Sequence, residues 1–109
     1  MIEVFVKTEN DRIISVETKG HAGFARRGKD IVCSAVSILM INTVNSIKSF
    51  TEDEIGVKSD QQKGRISISL PKEYSEATEL LLKSMLLGLS GIEEEYPKNL
   101  CIYTEEVLK

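Results

Sequence analysis

Two stretches of this chain carry apolar residues at helical spacing, each preceded by a pair of segments in which apolar and polar residues alternate, and a single alternating segment closes the sequence. Ile2, Val4 and Val6 alternate with Glu3, Phe5 and Lys7. Glu9, Asn10 and Asp11 then supply turn chemistry before Arg12 to Thr18 resumes an alternation around Ile14 and Val16, which predicts a β-hairpin. From Asp30, a good helix N-cap, apolar residues recur at Val32, Val36, Met40, Val44 and Ile47, the spacing of one helical face. The first half of this helix is apolar nearly all round, so it is expected deep in the core. Ile55 and Val57, then Ile66, Ile68 and Leu70, flank the polar run from Ser59 to Gly64 and predict a second hairpin closed by Pro71. A second helix is expected from about Tyr74, with a stripe of Ala77, Leu81, Met85, Gly88 and Ile92, and Pro97 cannot continue it. Gly88 and Gly91 each weaken a helix interior by roughly 1 kcal/mol relative to alanine. They fit either close packing or fraying near the helix end. Leu100 and Ile102, alternating with Cys101 and Tyr103, suit a last short strand.

The order strand-strand-helix-strand-strand-helix-strand predicts an α+β fold, a two-layer sandwich with two helices on one face of a mainly antiparallel sheet of about four to five strands. With 109 residues, 41% of them hydrophobic, residues 1–109 have room for a single domain around one core.

Several function classes are disfavoured. The apolar run from Ile31 to Ile41 is short of the roughly 20 residues that span a bilayer, so no membrane association is expected. Met1-Ile2-Glu3-Val4 alternates instead of showing the basic region and cleavage site of a secretory signal, and the expected location is the cytoplasm. Two cysteines there are expected as reduced thiols, not as a disulfide. One histidine and two widely separated cysteines offer no close ligand pairs, so neither a metal nor another cofactor is expected. A net charge of −3 gives no basic footprint for direct nucleic-acid binding.

The chemistry concentrates between residues 20 and 37. If Asp30 caps the first helix, Cys33 falls at its third position, where unpaired N–H groups and the helix dipole stabilise a thiolate and could hold an oxyanion. Asp30, Cys33 and Ser37 are spaced i, i+3 and i+7, along one stripe. His21, the only histidine, can serve as base to Cys33 if the intervening loop folds back. Plainer readings stand beside each of these. Cys33 is equally suited to packing, and His21 to a hydrogen bond at a strand end. Capping alone accounts for Asp30, and a bond to a carbonyl one turn earlier accounts for Ser37. Arg26, Arg27 and Lys29 could draw in a carboxylate or phosphate, or simply form a solvated loop. Gly20, Gly23 and Gly28 suit hinges or turns, and Cys101 suits packing.

Taken together, Gly20-His21-Ala22, Gly28, Asp30, Cys33 and Ser37 resemble the motif of the ribosomal-processing cysteine proteases of the Prp family, over essentially the whole chain. The resemblance implies a homodimeric endopeptidase that acts on a ribosomal protein precursor. It would remove a short amino-terminal extension from the large-subunit protein that reaches toward the peptidyl-transferase centre. Cys33 would be the nucleophile and His21 its general base, with Asp30 and Ser37 in support. The loop containing Gly20, Ala22, Gly23, Phe24, Arg26, Arg27 and Gly28 would be a mobile cover. The family's cleavage site follows an aromatic residue in a hydrophobic segment, so the resemblance also implies an apolar pocket beside Cys33. Ser34 stands where the family more often has a small apolar residue, which bears on substrate choice. The alternative from another class is a non-catalytic, ribosome-associated module that binds peptides or assists assembly. A thiol redox enzyme would need the two cysteines to meet in space.

Overall fold

The computed structural model describes residues 1–21, 30–60 and 62–108. Strands β1 (Ile2–Glu9) and β2 (Arg12–Lys19) are followed by helix α1 (Ile31–Phe50) and strands β3 (Gly56–Asp60) and β4 (Arg65–Ser69), then by helix α2 (Glu76–Glu95) and strand β5 (Leu100–Glu106). The strands form one sheet in the order β3-β4-β2-β1-β5. All neighbours run antiparallel except β1 and β5, which pair in parallel: β4 already runs in the direction of β1, and α2 carries the chain from β4 back to start β5 in that same direction. The expected two-layer α+β sandwich is present, with five strands in a mixed, mostly antiparallel sheet.

Strand alternation sets the core. Ile2, Val4 and Val6 of β1, Val16 of β2, Ile68 of β4 and Leu100 of β5 point toward the helices and are buried. The β1–β2 turn uses Asn10 and Asp11, both left-handed (φ 53° and 64°), the two-residue connection whose twist suits a hairpin. The sequence pattern pairs Ile14 with Val16 on the inner face, whereas Ile13 is the buried residue. Partnering passes from Lys7–Ser15 to Thr8–Ile13, so Ile14 is the extra residue of a bulge, which reverses the alternation beyond it.

Helix α1 lays Val32, Val36, Met40, Val44 and Ile47 into the core at the expected spacing. It is not buried all round: Ile31, Ile38 and Ile41 are more than half exposed, because the sheet and α2 cover only two of its sides. The helix runs to Phe50, beyond the apolar run read from sequence. With 20 residues and a mean hydropathy of 1.5 it is long and apolar enough to cross a membrane by length and composition, and one face of it is packed within the fold.

Helix α2 starts at Glu76, two residues later than expected, and its buried face is Thr78, Leu82, Met85 and Leu89; of the stripe read from sequence only Met85 is fully buried, and Ala77 is exposed. The start of the helix explains the rotation. Asp53, in the connection after α1, accepts bonds from the Ser75 N–H (3.1 Å), the Ser75 hydroxyl (2.6 Å) and the Thr78 hydroxyl, which turns Thr78 inward. Ser75 Oγ in turn caps the helix by accepting from the Thr78 N–H at 3.3 Å. At Gly88 a Cβ would lie 3.0 Å from Leu39 Cδ1, so this glycine permits the close approach of α1 and α2, whereas Gly91 has nothing within 4 Å.

The Asp53 carboxyl is held below its ordinary value of 3.8, first by the Ser75 hydroxyl and next by that of Thr78. A carboxyl that binds its proton less readily when folded contributes stability that is complete above its unfolded value, near pH 4, and is lost as pH falls through the lower folded value. Asp53→Asn is therefore expected to lower the urea midpoint at pH 7, and the gap to the parent protein should close below about pH 4. A gap that stays constant across the acid range would contradict this role.

Candidate functional site

Asp30 is extended (φ −79°, ψ 103°) and only 5% exposed, and its Oδ1 accepts the Cys33 N–H at 3.0 Å. Its carbonyl accepts the Ser34 N–H at 3.1 Å, the first bond of the helical ladder. The cap expected from sequence is thus present, and it fixes Cys33 in the first turn of α1. The N–H groups of Cys33 and Ser34 are thereby engaged within the helix start. For the thiol the helix dipole is favourable in direction, partly offset by the nearby Asp30 carboxyl.

His21 follows β2 after a single residue, Gly20. Gly20 just before it has φ +88°, and a Cβ there would lie 2.6 Å from the Met1 carbonyl oxygen, so the chain can leave the strand in this direction only through a glycine. This bend brings the imidazole over the start of α1, with His21 Nδ1 4.0 Å from Cys33 Sγ. That distance is long for a tight hydrogen bond, and nucleophile–base pairs commonly tighten when substrate binds. The imidazole and the thiol therefore meet without any rearrangement of the described residues.

Both groups open into a cavity of about 500 Å³. Ile2, Val36, Ile41 and Ile66 give it apolar walls, and Ser37 lies along the same wall as Cys33. The stripe of Asp30, Cys33 and Ser37 is thus realised, with Asp30 turned into its capping role. A further part of the rim comes from the β3–β4 hairpin through Ser59, Asp60, Gly64 and Arg65. The sequence reading assigned these residues only to a hairpin. Nothing local reveals their position, which follows from β4 pairing with β2. Thr18, 3% exposed, fixes that pairing beside the site: its hydroxyl donates to the Ile66 carbonyl (3.4 Å) and accepts the Ile66 N–H (3.3 Å).

Gly20 belongs to the described part of the proposed cover. Ala22, Gly23, Phe24, Arg26, Arg27 and Gly28 lie outside the described residues. Cys101, next to the buried Leu100, faces the opposite side of the sheet from the helices, so the two thiols do not meet and the redox reading loses its basis. There a hydrogen bond with Cys101 is the first cause that raises the Tyr103 pKa. Among the described residues no group of three His, Cys, Asp or Glu side chains converges as a metal site requires.

A thiol at a helix start, an imidazole beside it and an apolar-walled cleft on a two-layer α+β scaffold have the form of a cysteine protease. Comparison with known proteins agrees. The sequence model of the family described as cysteine protease Prp matches residues 1–101. The ribosomal processing cysteine protease Prp of Staphylococcus aureus is 30% identical over 99 residues, covering 91% of this chain and 92% of that protein. Its Bacillus subtilis counterpart is 29% identical over 109 residues, covering 95% and 97%. A crystal structure of the essential S. aureus protease in complex with a covalently linked product peptide superposes with a TM-score of 0.92 at 29% identity, covering 96% of this chain and all of that one. The chain belongs to the Prp cysteine protease family. Membership sets aside the reading of a non-catalytic module.

Proposed function

We propose that this protein is an endopeptidase that removes the short amino-terminal extension of a large-subunit ribosomal protein near the peptidyl-transferase centre, with Cys33 as nucleophile and His21 as its acid-base partner. The observation that carries the reading is the 4.0 Å approach of His21 Nδ1 to Cys33 Sγ at the mouth of an apolar cleft. The names of the S. aureus and B. subtilis relatives, both ribosomal processing proteases, support the substrate class. β3 is an edge strand whose end lines the cleft, so an extended peptide has a sheet edge to pair with while its hydrophobic residues enter the Ile2, Ile41 and Ile66 walls.

In this reading His21 takes the Cys33 proton, and the thiolate adds to the scissile carbonyl. With the Cys33 and Ser34 N–H groups engaged by Asp30, Ser37 is the supporting donor along the same wall. The tetrahedral intermediate collapses as the imidazolium protonates the leaving amine, giving a thioester. Water, deprotonated by His21, then releases the acid and regenerates the thiol. The reading includes a cytoplasmic homodimer without cofactor, direct nucleic-acid contact or membrane attachment. The exposed Ile38 and Leu87 on the helical layer are apolar surface that a second copy would cover.

The test is to incubate the purified protein with the extended precursor of its own ribosomal partner and weigh the products. A single cut following an aromatic residue, with the mass loss of the extension, is expected. An intact precursor under conditions where the protein is folded overturns the reading.

A further inference from the structure

The imidazole of His21 is exposed, and what positions it beside the sulfur is backbone packing beneath it. Three segments converge there. The carbonyl of Met1 backs Gly20 from one side. From another comes the β3–β4 turn at Gly64, which has φ +59° and where a Cβ would lie 2.5 Å from the Gly20 carbonyl oxygen and 3.1 Å from His21 Cε1. The first of these contacts is with main chain and cannot be relieved by a rotamer change. Gly64 therefore meets the Gly20 carbonyl where only a hydrogen atom fits, and the peptide that bears His21 rests on the turn.

The turn is itself held. Asp60 Oδ1 accepts the N–H groups of Gln62 and Lys63 at 3.1 and 3.2 Å, and Thr18 ties β4 to β2 two residues before Gly20. From this geometry we infer that Gly64 is a positioning residue for the protease: by allowing the β3–β4 turn to seat under the Gly20–His21 peptide, it sets the separation of imidazole and thiol. The inference rests on the Cys33/His21 reading above. Gly64 touches neither the sulfur nor the scissile bond in this account, and acts through His21 alone.

Gly64→Ala supplies the obstructing Cβ. Displacement of a reacting group by about 1 Å costs on the order of 10²-fold in rate, so kcat is expected to fall by about that factor with KM little changed. The rate of Cys33 alkylation by iodoacetamide at pH 7 should fall with it, because the imidazole no longer assists the thiol. Asn10→Ala is the control: Asn10 has the same left-handed backbone (φ 53°) in the other hairpin and lines neither the cleft nor the His21 peptide, so the variant bears a similar backbone cost with kcat and alkylation unchanged. If Gly64→Ala does not fold, Asp60→Ala takes its place, since it releases the two N–H groups that hold the turn without adding a Cβ against main chain. Parental kcat and alkylation rate in whichever of these turn variants folds overturn the proposal, as does an equal loss in Asn10→Ala. Cleavage by Cys33→Ala at the parental rate instead overturns the underlying dyad, which keeps the two failures distinct.

Discussion

Cys33→Ala should leave a folded protein that no longer cuts its precursor, with the rate down by about 10⁴-fold or more, the scale seen when a covalent nucleophile is removed. Two features make the outcome selective for chemistry. Cys33 is half-buried at the rim of the cleft, so losing its sulfur leaves solvent-accessible space and not a sealed void. Alanine also suits the first turn of a helix, and the cap reaches Cys33 through its backbone N–H, which every substitution except proline retains. The thermal midpoint should therefore stay near that of the parent protein. Mass spectrometry of the precursor gives the activity and circular dichroism the fold. Parental cleavage by a folded Cys33→Ala protein would remove the thiol from the mechanism. Collapse of the fold instead would assign Cys33 the packing role that its residue type also allows.

How much of this was legible in sequence depended on whether the determining interaction was local. The order of elements, the Asp30 cap and the inward face of α1 follow from spacings within a few residues, and they emerge as expected. The face of α2 did not, because Asp53, 22 residues upstream of Ser75, sets the rotation of that helix by drawing Thr78 inward. The alternation of β2 was displaced by the bulge at Ile14, a register choice made jointly with β1. Likewise the exposed side of α1 reflects how much of it the sheet and α2 can cover, and apolar residues alone do not reveal that.

The site divides in the same way. Cys33, Asp30 and Ser37 share one helical stripe, and spacing alone put them together. His21 had to come from elsewhere in the chain, and its arrival depends on Gly20 turning the end of β2 against Met1. The β3–β4 rim was invisible because the pairing of β4 with β2 spans dozens of residues, and Gly64 read as ordinary turn chemistry. Its significance lies in what it touches.

His21→Ala is expected to separate the two tasks that the imidazole performs. General acid-base groups contribute about 10²–10⁴-fold each, and here one ring both removes the thiol proton and protonates the departing amine, so cleavage at pH 7 should fall by at least about 10³-fold. Alkylation of Cys33 by iodoacetamide at pH 7 should slow toward the rate of Cys101, which sits on the other face of the sheet without a histidine. An unassisted thiol ionises near pH 8.5, so raising the pH supplies thiolate from solution and should restore alkylation. Cleavage should not recover in parallel: alkylation needs only the nucleophile, whereas amide scission still needs a proton for the leaving nitrogen, and alkaline solvent is a poor donor. The variant should therefore be reactive toward iodoacetamide at high pH yet remain unable to process the precursor. Recovery of both activities together would reduce His21 to a base that makes thiolate. Unaltered cleavage at pH 7 would mean that the 4.0 Å approach to the sulfur has no part in the reaction.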